Sequence, residues 1–244
     1  MNIRALLGEA VGTFVLVGGG SLGVATALVT SQTAGYLGLF VIVPFAFGLS
    51  LLAAIAIAGD ASGGHFNPAV TLAAVLDGRV RWTAGLGYAV AQAIGAFAAS
   101  LFVQLTLTAD VVKATVNQPV DFGAGPDKWI RAFSVEIVLT AIFIAVILTV
   151  ARKRPSQAGF VIPLTLIAIH FIGMPASGAS VNPIRSLAPA VITASYDGLW
   201  VYLTAPFIGA ILGWILYRVL NPADELDEES EYGDEYEEDA LEPG

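Results

Sequence analysis

The chain has 244 residues, 56% apolar and 13% charged, with a mean hydropathy of +0.76. That composition excludes an ordinary water-soluble domain, and the absence of cysteine excludes disulfides and thiol chemistry. The net charge of −9 is uneven: twelve of the 20 acids fall within residues 224–242, leaving 8 acids against 11 bases elsewhere.

The first hydrophobic run covers about residues 5–29. It is long enough to cross a bilayer and no cleavage pattern follows it, so a span is expected rather than a cleaved leader. Glu9 lies in it, within Gly8-Glu9-Ala10-Val11-Gly12. A short loop through Gln32 and Gly35 leads to a second span, about 36–58. Then comes Ser62-Gly63-Gly64-His65-Phe66-Asn67-Pro68 and an apolar run of only about ten residues, half of what a bilayer crossing requires. Asn-Pro is a helix start, with asparagine as the cap and proline at the first helical position. The segment therefore reads as a half-helix behind an irregular Gly/Ser loop.

Asp77-Gly78-Arg79-Val80-Arg81 makes a polar turn before a third span, about 82–107. The polar stretch 110–128, with Pro119, Gly123, Gly125 and Pro126, is expected to be irregular. A fourth span, about 129–151, carries Glu136 and is closed by Arg152-Lys153-Arg154-Pro155. A fifth covers about 158–173. Ser177-Gly178-Ala179-Ser180-Val181-Asn182-Pro183 then repeats the earlier motif 115 positions on, and a second half-helix follows. The last span is about 199–220.

The order is span, span, half-helix, span, twice over. Three spans per repeat is odd, so the second copy (about 129–220) must be inverted relative to the first (about 5–107). Glu9 and Glu136 hold equivalent places. Tyr88, Ala91, Gly95 and Ala96 have the same spacing as Tyr202, Ala205, Gly209 and Ala210. Gly8/Gly12 and Gly209/Gly213 have the spacing of closely packed membrane helices. Seven bases (Arg4, Arg79, Arg81, Arg152, Lys153, Arg154, Arg218) fall on one side of this topology, against Lys113, Lys128 and Arg131 on the other. That bias predicts both termini in the cytoplasm.

Two Asn-Pro half-helices in inverted repeats, with Arg185 three residues after the second asparagine, resemble the aquaporin (major intrinsic protein) family. The likeness extends over about residues 5–220. It implies an all-α membrane protein of six transmembrane helices and two half-helices. Half-helices entering from opposite faces would meet N-terminus to N-terminus, each end carrying roughly half a positive charge. If the side-chain oxygens of Asn67 and Asn182 cap their own helices, their NH₂ groups are left to donate to permeant water. Aspartate could cap as well but would offer no donor and would attract cations. Carbonyls of Gly63, Gly64 and His65, and of Gly178, Ala179 and Ser180, would form an acceptor ladder.

The resemblance further places a constriction at Phe47, His170, Ala179 and Arg185. A large Phe and His, with Ser186 rather than Asp after the arginine, resemble the water-selective branch. The likeness also gives Glu9 and Glu136 the role of bracing the two loops. It implies a homotetramer in the plasma membrane, with the lipid bilayer and water as partners. Ile184 departs from the alanine usual after the second Asn-Pro, Ala179 is small, and Leu203 stands where an aromatic is common. Facilitated passage of glycerol, hydrogen peroxide or ammonia therefore stays open as an alternative. So does an ion-coupled transporter built on Glu9 and Glu136. No nucleophile–base pair or metal cluster appears, so neither enzyme activity nor a cofactor or metal is expected, and nothing suggests nucleic acid. The acidic tail, 221–244, is expected to remain disordered. With only three lysines in the chain, it fits a salt-loving microbe or a plain solvated terminus.

Overall fold

A computed structural model describes residues 2–222 apart from 124 and 126, and of residues 34, 36 and 37 the backbone alone. The acidic tail lies outside the described residues. Helices in chain order are α1 (Ile3–Ala34), α2 (Tyr36–Ser62), α3 (Pro68–Leu76), α4 (Trp82–Thr106), α5 (Ala109–Ala114), α6 (Lys128–Lys153), α7 (Pro155–Ser177), α8 (Pro183–Ile192) and α9 (Leu199–Leu220). Six of them are long and apolar enough to cross a membrane. Leu86, Val90 and Ile94 on α4, one turn apart, are exposed, as are Ile208, Ile211, Leu212 and Ile215 on α9. Outward aliphatic stripes of this kind face lipid in a membrane protein.

Three details differ from the sequence reading. The loop expected around residue 32 is helix, since α1 runs on to Ala34. The reversal into α2 is made by Gly35 alone, at φ +61° and ψ −154°, a region essentially reserved for glycine. Pro155 does not merely end α6; it opens α7, with Arg154 as the single residue between them. Part of the stretch read as irregular is a short helix, α5. Thr108 caps it, accepting from Val111 N, while Asp110 lies in its first turn and Lys113 in its last.

Within each repeat the first span packs on the other two: α1 on α2 and α4, α6 on α7 and α9. The third spans cross their partners at glycine. A Cβ on Gly95 would lie 2.1 Å from the Ala10 carbonyl oxygen, and one on Gly209 would lie 2.6 Å from that of Ile137. Ala10 and Ile137 each follow the equivalent glutamate, so the inverted repeat is preserved in atomic detail. Gly12 gives room to the Phe66 ring, and Gly213 meets α6. These small residues therefore serve contacts inside the protomer. The repeats also interlock: α2 packs on α7, α3 reaches α9, and α8 reaches α4.

Ile184 lies in a cluster with Val17, Ala96, Ala99 and Ala188, against α1 and α4. The extra bulk is matched by alanines and is absent from the lining of the cavity described below. Ile184→Ala should therefore leave a void and destabilise the fold by about 2–5 kcal/mol. Unit water permeability should stay near that of the parent. Thermal unfolding in detergent and stopped-flow water flux test the two halves of this expectation; a large gain in flux would place Ile184 in the conduction path.

Candidate functional site

The two motif loops are built alike. In each, the glycine after the span takes a left-handed conformation that ends the helix (Gly63, φ +91°; Gly178, φ +84°). Left-handed residues then recur at equivalent places, Gly64 with Ala179 and Phe66 with Val181. Positive φ at a β-branched valine is strained and persists only where the surroundings hold it.

The glutamates supply that hold. Glu9 Oε1 accepts from Ser62 Oγ (2.6 Å) and His65 N (3.0 Å), and its Oε2 from Phe66 N (2.7 Å) and Gln92 Nε2 (2.7 Å). Glu136 Oε1 accepts from Ser177 Oγ (2.7 Å) and Ser180 N (2.8 Å), and its Oε2 from Val181 N (2.8 Å). Both carboxylates are fully buried. The place that Gln92 fills in the first repeat is Pro206 in the second, so Glu136 has no fourth donor among the described residues. Tyr88 and Tyr202 secure the span ends, their hydroxyls donating to Ser62 O (3.1 Å) and Ser177 O (2.6 Å).

Each asparagine does two things. Asn67 Oδ1 accepts from Ala69 N (2.9 Å), and Asn182 Oδ1 from Ile184 N and Arg185 N, so both cap their helices. Their amides cross the midline: Asn67 Nδ2 donates to Val181 O (2.7 Å) and Asn182 Nδ2 to Phe66 O (3.0 Å). The sequence reading had both NH₂ groups wholly available. One hydrogen of each is committed to the opposite loop, and one remains.

A cavity of about 330 Å³ passes these asparagines. α7 lines it with Ala158, Ile162, Leu166 and His170, each one turn from the next, a run of about 18 Å. Of the expected carbonyl ladder, Gly63, Gly64, His65 and Ser180 line this cavity; Gly178 and Ala179 do not. Gly178 O accepts from Asn117 Nδ2 (2.9 Å).

Three of the four expected constriction residues come together. The Phe47 and His170 rings stack with centroids 4.8 Å apart, and Arg185 Cζ lies 4.5 Å from the Phe47 centroid. His170 Nδ1 is 2.9 Å from Leu166 O, which makes Nδ1 the donor and leaves Nε2 without a partner among the described residues. Arg185 Nη1 donates to Thr115 O (3.2 Å) and to Asn117 Oδ1. Ala179, the fourth position, is buried beside Gly173. The positions equivalent to Phe47, His170 and Arg185 are Ile162, Ile55 and Val70, which also line the cavity. The aromatic and cationic trio thus has an aliphatic counterpart in the other half of the repeat.

Sequence reasoning missed Asn117. It lies in the connection after α5 and carries no motif. Tyr88 and Tyr202 were visible as a repeated spacing without a role. Arg79, read as part of a polar turn and as one of the orienting bases, lines the cavity as well, donating to Leu148 O (3.0 Å) and pairing with Asp77 (2.7 Å).

The comparisons with known proteins agree. The family model described as Major intrinsic protein matches residues 1–217. Aquaporin Z of Photorhabdus laumondii is 38% identical, covering 89% of this chain and 97% of that protein. Glycerol uptake facilitator protein-like 6 of Lactiplantibacillus plantarum is 36% identical, covering 91% of this chain and 100% of that protein. An aquaglyceroporin structure from Plasmodium falciparum has the same fold, with a TM-score of 0.78 at 23% identity over 93% of this chain and 99% of that one. From the paired motif loops to the whole-length match, the chain belongs to the major intrinsic protein family, the aquaporin family of membrane channels.

Proposed function

We propose that this channel conducts water passively, in single file, and rejects ions and protons. The observation that carries the reading is the meeting of the two half-helix caps on one cavity. Each asparagine keeps one amide hydrogen beyond its bond to the opposite loop. A water accepting from both must point its own hydrogens outward along the file, which opposes proton relay. The positive ends of α3 and α8 repel cations at the same place. Carbonyls of Gly63, Gly64, His65 and Ser180 then accept from successive waters.

At the Arg185 end the stacked Phe47 and His170 leave a narrow bore, which favours water over glycerol. Arg185 supplies a fixed positive charge in a setting where burying one is costly and by default functional. Glu9 and Glu136 act as braces: all four of their oxygens accept from loop donors. That leaves no role for them in ion coupling. A second reading, passage of small neutral solutes, is favoured by one observation, the small Ala179 set back from the cavity.

The channel domain is assigned to residues 1–220, with both termini in the cytoplasm and a homotetramer in the plasma membrane. Stopped-flow light scattering on proteoliposomes, water against glycerol, tests the function. Water flux should be fast, glycerol flux slow, and neither should respond to an imposed proton or sodium gradient. Accumulation of any solute against its own gradient would sink the channel reading.

A further inference from the structure

The connection between α4 and α6 folds inward over the Arg185 end of the cavity. α5 packs on α1, α4 and α8, with Val112 fully buried beneath it. Beyond Asn117 the chain is pinned again, Val120 N donating to Pro175 O (2.9 Å) and Val120 O accepting from Arg131 Nη2 (2.5 Å). Asn117 is thus held on both sides, and it is 4% exposed.

Its amide makes three bonds. Oδ1 accepts from Arg185 Nη1 and from Ser186 Oγ (2.7 Å), and Nδ2 donates to Gly178 O (2.9 Å). Two donors facing Oδ1 and a carbonyl facing Nδ2 admit one orientation of the amide. Ser186 Oγ shares a 2.5 Å hydrogen bond with Ser180 Oγ, in the loop that Glu136 braces.

We propose that Asn117 is a specificity-determining positioning residue, which sets the guanidinium of Arg185 and thereby the solutes that pass. The inference rests on the water-channel reading and deepens it. Nη1 has two hydrogens, and Thr115 O and Asn117 Oδ1 take both. Arg185 lines the cavity, and its Nε has no partner among the described residues. Without Asn117 the guanidinium keeps, among the described residues, the Thr115 carbonyl alone as acceptor and is free to swing off the Phe47 ring. Asparagine suits the place because one side must accept and the other donate.

The test compares urea-to-water permeability ratios in proteoliposomes for the parent, Asn117→Ala and Asn117→Asp. Asn117→Ala should raise the ratio about tenfold, the factor that loss of one charge-assisted hydrogen bond corresponds to. Asn117→Asp keeps acceptors for Arg185 and Ser186 but offers Gly178 O no donor, so it should keep the parent ratio. An unchanged ratio in Asn117→Ala overturns the proposal. So does an Asn117→Asp as leaky as the alanine variant, which would make Asn117 only a staple on Gly178. Asn117→Leu, similar in shape without either polar atom, replaces Asn117→Ala should that variant fail to fold. A parent that already conducts urea freely would instead sink the water-selective reading.

Discussion

Replacing His170 and Arg185 together by alanine should let the pore pass glycerol and urea far more readily than the parent. The stacked pair of Phe47 and His170, with the guanidinium 4.5 Å from the Phe47 ring, closes one side of the bore. Removing the imidazole and the guanidinium deletes two of the three large groups there and the fixed charge of Arg185. Discrimination that rests on fit is worth a factor of about 10–200 per contact group, so glycerol permeability should rise at least tenfold by that measure. Water flow should persist, because the cavity past Asn67 and Asn182 does not depend on these side chains. Proteoliposome flux for water, urea and glycerol reads the change directly. A double variant as tight to glycerol as the parent would show that the constriction lies elsewhere.

The other large effect concerns Glu136. Glu136→Ala strands Ser180 N and Val181 N in a buried place and leaves Ser177 Oγ only its long bond to Gly173 O (3.4 Å), and each unsatisfied donor costs about 1–3 kcal/mol. Their sum approaches the roughly 5–15 kcal/mol that holds a folded protein together. It also frees Val181 N, leaving the left-handed residue held through its carbonyl by Asn67. The variant should lose most of its thermal stability in detergent and most of its folded yield. Glu136→Gln should fall between, since one amide oxygen still accepts while its NH₂ faces a donor. Glu9→Gln should cost less, because Gln92 and Thr71 remain tied to each other across the first loop (2.9 Å). Equal losses in the two glutamine variants would contradict the asymmetry created by Pro206.

Most of the fold was legible because its signals are long or doubled. Six apolar runs, two Asn-Pro caps and a fixed spacing between repeats are each hard to imitate by chance, and the helices follow them. Phe47, His170 and Arg185 were reached through a family resemblance, and the structure brings them together. The parts that escaped depend on single contacts across the chain. Asn117 is one polar residue in a polar connection, and only its distance to Arg185 marks it. The cross-midline bonds of Asn67 and Asn182 needed the opposing carbonyls, which no local pattern displays. Helix α5 had its signals, Thr108, Asp110 and Lys113, but they span barely one turn. Ile184, the most evident departure in the second motif, resolves into a pairing with Ala96 and Ala99 on α4 and Val17 on α1, which lie far away in sequence.

The interlocking of the repeats has a consequence for how the chain acquires its shape. Asn67 finds its carbonyl at Val181, and α3 rests on α9, so the first loop is completed by residues synthesised more than a hundred positions later. Until then the early half holds an amide and a strained turn with no counterpart. The rate at which the late half arrives and docks therefore governs when either loop sets. Loop closure over such separations is slow compared with helix formation. The spans can enter the bilayer one after another, but the conducting path closes in a single late step that belongs to neither half alone.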